Sequence, residues 1–149
     1  MKAEKIVIGR TDKIDIPEFN IKNISAKIDT GAFTSVLHCS QTKVSGGKLT
    51  FHIVDKSSKG LQKRVFVVDD FTQRVIKNSF GDVEKRYVIK VKIVIFNKTI
   101  DTEFSLTDRS NMKHPVLLGR KFLNGKFIVD VSKFNLSYRE KNKNKKRKL

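Results

Sequence analysis

Apolar residues recur at every second position along much of the chain, which is the periodicity of strands with one buried face. The clearest faces are formed by Ile24, Ala26 and Ile28, and by Ile89, Val91, Ile93 and Ile95. The segments LTFHIVD and RVFVVDD are rich in β-branched and aromatic residues, which favour strands. The run VEKRYVIKVKIVIF alternates first and then turns apolar on both faces, which predicts a strand that begins at an edge and ends buried.

Turn-forming segments separate these runs, and they predict closely spaced hairpins. They are SGGK at 45–48, KSSKG at 56–60, NSFGD at 78–82, FNKT at 96–99 and LNGK at 123–126. Only GRKFLN, from Gly119, favours a short helical turn. The chain is therefore predicted to be mostly β, packed as a sandwich or a small closed barrel.

Length and composition fit one domain, because 149 residues with 38% hydrophobic content and eleven Phe can bury a core. No segment approaches the ~20 apolar residues of a membrane helix. The start MKAEKIVIGR lacks the pattern of a secretory signal, and the single Cys39 offers no internal disulfide. We therefore expect a cytoplasmic protein without membrane association.

The net charge of +17 favours acidic partners, and it is concentrated in part at the end of the chain. After Tyr138 the composition changes to REKNKNKKRKL, where seven basic residues against Glu140 leave a net charge of +6. We predict one domain over residues 1–138 and a disordered basic tail over 139–149. Nucleic acid is a disfavoured partner, because the tail lacks aromatic residues on which bases could stack.

The segment KIDTGAFTS places a carboxylate, Asp29, at the end of an apolar strand. Thr30, Gly31 and Ala32 follow, and these small residues would let a peptide or another backbone approach closely. Asp29 is thus a candidate catalytic residue in an active-site loop of 30–32. On the tripeptide alone, an ordinary turn remains the alternative, because turns use Asp and Gly constantly.

A second segment, HPVLLGRKFLNGKFIVD, carries two aliphatic residues, Leu117 and Leu118, followed by Gly119 and Arg120. An apolar strand ending in DTGA, with aliphatic-aliphatic-Gly-Arg some ninety residues later, resembles the retropepsin-type aspartic peptidases. More narrowly, the chain resembles the bacterial retropepsin-like family that carries the legacy name of ATP-dependent zinc protease. The similar segments are IGR, AKIDTGAFTSVLHC, NSFGDVEKRYVIKVKI, FSLTDRSNMKHPVLLGRKFLNGKFIVD and LSY.

This resemblance implies a retropepsin-like fold, a small closed barrel of short strands with one short helix, assembled as a homodimer. The chain has one Asp-Thr-Gly and no second Asp-Thr/Ser-Gly, so each of two chains would contribute Asp29 about a twofold axis. Two carboxylates roughly 3 Å apart share a proton, as in aspartic proteases generally. One would then activate water, and the other would donate to the carbonyl oxygen of the peptide bond.

The resemblance also assigns supporting roles. Leu117, Leu118, Gly119 and Arg120 would lie beneath the active-site loop, and Thr34, Ser35 and His38 would form its surroundings. Thr30 would brace the partner's loop, and Gly31 would lie close to an extended substrate covered by a flap somewhere between His52 and Phe80. Viral retropepsins commonly have an acidic residue after DTGA that pairs with this arginine. Here that residue is Phe33, so Arg120 needs another partner, and a backbone carbonyl or a buried carboxylate is expected.

We predict no metal and no cofactor. The only soft ligand types are His38, Cys39, His52 and His114, and their spacing is a poor match to zinc sites. The sequence has neither HExxH nor GxxxxGK[ST], which zinc peptidase and ATP chemistry would use. His38 is interpreted as a core histidine or one that supports the site.

The leading functional hypothesis is therefore an aspartic endopeptidase whose partners are a second copy of itself and a peptide or protein substrate. The family's association with ATP-grasp amino-acid ligases implies that this substrate is acidic, which the positive charge would suit. The alternative is a non-catalytic module of the same fold that binds acidic peptides or proteins, because a fold does not determine activity.

Overall fold

The computed structural model describes residues 4–57, 60–77, 80–108 and 113–147, and strands dominate these ranges. The elements are β1 (Ile6–Ile8), β2 (Thr11–Ile16), β3 (Ile21–Ile28), β4 (Ser35–Ser45), β5 (Lys48–Ser57), β6 (Gly60–Val68), β7 (Thr72–Lys77), β8 (Val83–Ile95), β9 (Lys98–Asp108), β10 (Val116–Leu118), α1 (Arg120–Leu123), β11 (Phe127–Val129) and α2 (Leu136–Arg147). A 3-10 turn, Pro17–Phe19, joins β2 to β3.

Six strands close into a barrel. They follow the order β10, β3, β2, β8, β9, β4, and β4 pairs with β10 to complete the circle. Most of these pairs are antiparallel, whereas β10 with β3 and β4 with β9 are parallel. The prediction of a mostly β, retropepsin-like closed barrel is confirmed.

The barrel forms because alternate residues of neighbouring strands meet inside it. Ile14 of β2 lies opposite Ile24 of β3, and both side chains are buried. Ile93 of β8 and Phe104 of β9 are also fully buried in the same core. Each such side chain stabilises the fold by about 1.5–3 kcal/mol relative to exposure. As predicted, β8 is exposed in its first residues and buried towards its end.

Two hairpins occupy the region where a flap was expected. β5 and β6 pair along their whole length and extend the sheet beyond β4. This hairpin is fixed to the body by a cluster of Phe19, Phe51 and Phe66, whose ring centroids lie 4.8–5.8 Å apart. The other hairpin pairs β7 with the first half of β8. Residues 58–59 and 78–79, at the two hairpin ends, lie outside the described residues.

A separate two-stranded parallel sheet is formed by β1, which precedes the first barrel strand in the chain, and β11, which follows the last. Val7 lies opposite Ile128, and their side chains are 43% and 54% exposed, so the sheet presents an apolar pair to the outside. Gly9 follows β1 and packs on the backbone of Lys133, where a Cβ atom would lie 2.3 Å from the carbonyl oxygen. No larger residue fits there without a backbone shift.

The end of the chain differs from the sequence-based expectation. Residues 136–147 form helix α2, so the boundary predicted after Tyr138 falls inside a helix, and the tail predicted to be disordered is helical as far as Arg147. The short helical turn predicted in GRKFLN is present as α1, and α2 is a second helix that was not predicted. The reason is a remote cap. Asp12 of β2 is fully buried, and its carboxylate accepts the amides of Ser137 at 2.9 Å and Tyr138 at 3.1 Å. Side chains that accept the first amides of a helix stabilise it.

Further contacts hold α2 against β2 along its first two turns. Lys141 donates to both carboxylate oxygens of Asp15, at 2.9 and 3.1 Å, and to the Asn23 side-chain oxygen at 2.9 Å. The Lys13 ammonium lies 4.4 Å from the Tyr138 ring centroid. A polar helix can therefore be ordered by ionic contacts to one strand. Among the described residues, neither this helix nor α1 is long and apolar enough to span a bilayer.

Candidate active site

Asp29 lies at the carboxyl end of β3, in a tight loop fixed by its own backbone. The Asp29 amide donates to the Leu118 carbonyl at 2.9 Å, and the Ala32 amide donates to the Asp29 carbonyl at 3.3 Å. One carboxylate oxygen of Asp29 accepts the Gly31 amide at 2.9 Å, which sets the direction of the carboxylate. Asp29 is half-buried, whereas Thr30 and Gly31 are exposed.

The segment predicted to support this loop lies directly beside it. β10 fits between β3 and β4, and it pairs Leu118 with Ile28 on one side and Val116 with Leu37 on the other. About ninety residues of chain separate β3 from β10, yet the register places Leu118 next to the residue before Asp29. The two segments singled out in the sequence therefore form one structural unit.

Gly119 is the closest point of contact between the two segments. A Cβ atom there would lie 2.8–2.9 Å from the backbone oxygens of Ala32, Phe33 and Thr34. Real Cβ atoms essentially never come this close to backbone, so only glycine lets the loop rest on β10. The Gly119 amide also donates to the buried Ser35 hydroxyl at 3.1 Å.

The first turn of α1 completes the support. The Arg120 amide donates to the Ala32 carbonyl at 2.8 Å, and the Lys121 amide donates to the Phe33 carbonyl at 2.9 Å. The Arg120 guanidinium donates to the Thr30 carbonyl at 3.0 Å and lies 5.9 Å from the Phe33 ring centroid. Arg120 therefore donates to a backbone carbonyl, one of the two kinds of partner expected from the sequence, and its charge lies near the ring of Phe33, which replaces the acidic partner.

The remaining predicted residues divide between the loop and the barrel. Thr34 lines a groove of about 230 Å³ beside the loop, and Ser35 is buried beneath it. The His38 imidazole lies further along β4, where its Nδ1 is 2.6 Å from the Thr107 hydroxyl of β9. This contact joins β4 to β9 within the barrel wall.

The sequence reasoning missed Asp12 and the ionic pair of Arg74 with Glu103. Asp12 had a usable signal, because it shares the inward face of β2 with Ile14 and Ile16, and a carboxylate at an inward position needs donors. Burial raises the pKa of Asp12, and the amides of Ser137, Lys13 and Tyr138 offset part of that rise. Arg74 and Glu103 are distant in sequence, and no local pattern pairs them.

Other titratable groups lie apart from the loop. Burial raises the pKa of the Cys39 thiol, which therefore stays protonated and unreactive. Partial burial, together with the nearby charges of Lys113 and Lys27, lowers the pKa of His114, whose Nδ1 lies 2.7 Å from the Ser25 hydroxyl. Among the described residues, no three His, Cys, Asp or Glu side chains are grouped to hold a metal ion.

A six-stranded barrel with an Asp-Thr-Gly loop resting on an aliphatic-aliphatic-Gly-Arg strand defines the retropepsin-like class of proteins. The model of the RimB-like family, described as retropepsin-like aspartic endopeptidase RimB, matches residues 7–140. The chain belongs to this family.

Several curated relatives carry a different name. The chain is 31% identical over 138 residues to a probable alpha-L-glutamate ligase of Shewanella halifaxensis, which covers 89% of the chain and 30% of that protein. A protein of the same name from Desulfotalea psychrophila is 33% identical over 134 residues, covering 85% and 28%. The chain thus spans less than a third of the length of these relatives.

A solved structure has the same fold. It is the crystal structure of Lpg0085, a protein of unknown function from Legionella pneumophila, with a TM-score of 0.63 and 22% sequence identity. The similarity covers 90% of the present chain and 99% of that chain. The similarity therefore extends beyond the six barrel strands to most of the present chain.

Proposed function

We propose that this protein is an aspartic endopeptidase, in which the Asp29 carboxylates of two identical chains activate a water molecule that attacks a peptide bond. The observation that carries the proposal is the Asp29 loop itself. Its carboxylate is oriented by the Gly31 amide, and its backbone is held from below by Gly119 and Arg120. Such fixed geometry is what general acid–base chemistry requires.

The second carboxylate is proposed to come from a second copy. A water held between two carboxylates can lose a proton to one while the other donates to the carbonyl oxygen. The sequence contains one Asp-Thr-Gly. A twofold axis beside the exposed Thr30 and Gly31 would bring the same carboxylate to the site twice.

An exposed apolar pair on the β1–β11 sheet supports this assembly. Val7 and Ile128 form an outward pair on the β1–β11 sheet, and each strand has one unpaired edge within that sheet. This sheet connects to the site through Arg10, whose amide donates to the Lys133 carbonyl and whose carbonyl accepts the Ile28 amide. Pairing of two such sheets across the axis would bury the apolar pair and join the strand edges.

The groove beside the loop is proposed to take the substrate. It lies between the residues that follow Asp29, namely Phe33 and Thr34, and the β7–β8 hairpin, which contributes Ile76 and Val88. An extended peptide could bind there by main-chain hydrogen bonds, with its side chains in pockets. The β7–β8 hairpin, with exposed Phe80 and Gly81 near its turn, is then the flap.

An acidic peptide is the proposed substrate class. The net charge of +17 would attract it and raise its association rate. In relatives named probable alpha-L-glutamate ligase, the counterpart of this chain accounts for about 30% of the protein. A peptidase for glutamate-rich peptides would act on the kind of chain that a glutamate ligase could make.

The test is Asp29→Asn, which keeps the size and the Gly31 hydrogen bond but removes the charge. We expect loss of at least about 10³-fold in cleavage of a glutamate-rich peptide, because removal of a catalytic group typically costs this much. Melting temperature and molecular mass should not change. Asp69→Asn, an exposed aspartate between β6 and β7, is the matched control and should keep full activity.

A non-catalytic module that binds acidic peptides is the competing function, favoured by the charge of the chain and by the ligase names of its relatives. The Asp29→Asn variant distinguishes the peptidase from the binding module. Unchanged cleavage by Asp29→Asn would overturn the peptidase, and binding of the peptide without any cleavage by the native protein would favour the module.

A further inference from the structure

An ionic cluster of three side chains lies where the flap hairpin, the barrel wall and α1 meet. Glu103 of β9 accepts hydrogen bonds from the Arg74 guanidinium of β7 and from the Lys121 ammonium, the latter at 3.4 Å. The Glu103 side chain is only 13% exposed, whereas Arg74 and Lys121 are 46% and 49% exposed. The largely buried Glu103 carboxylate is thus paired with two cations, Arg74 and Lys121, that are themselves exposed to solvent.

This cluster separates two grooves. On one side is the groove of about 230 Å³ beside the Asp29 loop, whose walls include Phe33, Ile76 and Val88. On the other side is a groove of about 490 Å³, which is lined by Lys90, Lys92, Lys121 and Lys126. Glu103 lines both grooves, and Arg74 lines the first.

Arg74 is the cationic side chain in the lining of the first groove. Its guanidinium is planar and can hold a carboxylate through two parallel hydrogen bonds, in surroundings that are otherwise largely apolar. Charged hydrogen bonds gain strength where apolar walls limit access of water. A peptide carboxylate that enters this groove meets Arg74 opposite Phe33 and Thr34, which directly follow the Asp29 loop in the chain.

We propose that Arg74 binds an acidic side chain of the substrate and that Glu103 is the internal carboxylate which that side chain displaces. This inference rests on the proposed function, and it assigns the preference for acidic peptides to one residue. Exchange of one carboxylate for another keeps Arg74 paired throughout. After the exchange Glu103 still accepts the hydrogen bond of Lys121, so its carboxylate is not left without a cation.

The charge state of Glu103 agrees with this role. Partial burial raises its pKa, but the hydrogen bond and charge of Arg74, together with those of Lys121, outweigh burial, and the pKa lies below its ordinary value. Glu103 is therefore ionised at neutral pH and competes with the substrate for Arg74. Removal of its charge should consequently strengthen binding, whereas loss of a purely structural ion pair would not.

The experiment measures binding in the Asp29→Asn background, so that the peptide is not consumed. Fluorescein-labelled hexaglutamate and hexaglutamine are titrated by fluorescence anisotropy at low salt. Arg74→Ala should weaken hexaglutamate binding about tenfold, which is typical for loss of a charged hydrogen bond, and should leave hexaglutamine unchanged. Glu103→Gln should tighten hexaglutamate binding about threefold.

Lys85→Ala is the matched control. Lys85 lies on the same hairpin and carries the same charge, but it is exposed and lines neither groove. It should change the affinity for either peptide less than twofold. Equal effects of Arg74→Ala and Lys85→Ala would overturn the assignment, because the field of the whole protein would then account for binding. Weaker hexaglutamate binding by Glu103→Gln, or equal loss of both peptides in Arg74→Ala, would also overturn it.

Cleavage assays keep this inference distinct from the proposed function. A native protein that binds hexaglutamate through Arg74 but cleaves no peptide would contradict the peptidase and leave the binding site intact. Active cleavage with an unchanged preference for acidic peptides in Arg74→Ala would contradict the inference and leave the peptidase intact.

Discussion

Gly119 is where the Asp29 loop rests on the strand beneath it. Three loop carbonyls surround the position where a Cβ atom would lie, so Ala at this position must push the loop away from β10. We expect Gly119→Ala to destabilise the fold by about 1–3 kcal/mol, a typical cost of overpacking, and to reduce peptide cleavage by more than its effect on stability explains. Urea denaturation and peptide cleavage at a temperature where the variant is folded measure the two effects.

Gly46→Ala is the control for this substitution. Gly46 has a positive φ of 59° in the β4–β5 turn, with open space around it, and it lies far along β4 from the loop. The substitution should cost about 1 kcal/mol from backbone strain and leave cleavage unchanged. If both variants lose stability alike and both keep full activity, Gly119 does not support the site.

His114 gives a pH dependence at the scale of one residue. Its pKa is lowered from the ordinary value near 6.5, first by burial and then by Lys113 and Lys27. The unfolded chain therefore takes up a proton at this residue before the folded chain does, and stability falls as the pH drops below about 6.5. His114→Gln should lose less stability between pH 7 and pH 5 than the native protein does.

Chemical denaturation at several pH values checks this difference. Other groups titrate in both proteins, so the comparison isolates His114. Parallel stability curves for the native protein and the variant would show that the folded and unfolded states bind this proton equally, contrary to the burial of His114 and the charges of its two lysine neighbours.

At the scale of elements, α2 shows how a remote side chain can order a polar segment. The amides of Ser137 and Tyr138 are satisfied by Asp12, which comes from a strand more than 120 residues earlier. Asp12→Ala should leave these donors without a partner and destabilise the protein by about 2 kcal/mol, with loss of helical signal. Urea denaturation and circular dichroism measure the two changes.

Asp15→Ala is the matched control on the same strand. It removes the partially exposed ion pair with Lys141, for which about 0–1 kcal/mol is expected. An equal cost for both substitutions would mean that the cap does not hold the helix.

The elements also show what a single sequence can predict. The resemblance placed residues 117–120 beneath the Asp29 loop, but their exact register with β3 came only from the structure. The apolar alternation indicated the strands of the barrel. Helix α2 was missed because REKNKNKKR has no apolar face, and its order comes from the Asp12 cap together with the weaker contacts of Lys141. Local propensity is a weak guide where long-range contacts decide the conformation. The available signal was that Asp12 shares the inward face of β2 with the apolar Ile14 and Ile16, so its carboxylate needed donors from another segment.

At the scale of the whole molecule, the barrel brings residues of distant segments to one end. Backbone hydrogen bonds connect Asp29 to Leu118, and they connect Ile28 through Arg10 to Lys133, which follows β11. The pairing of Arg74 with Glu103 depends on how β7 and β9 both pair with β8, so it could not be read from the sequence.

The central claim is that each active site needs Asp29 from both chains of a pair. The most direct test mixes native protein with Asp29→Asn under conditions where subunits exchange, and measures peptide cleavage at constant total protein. If both carboxylates are required, activity follows the square of the native fraction, and an equal mixture keeps about one quarter of the native rate. An equal mixture that keeps about one half of the native rate would show that each chain acts alone, and the account would be wrong.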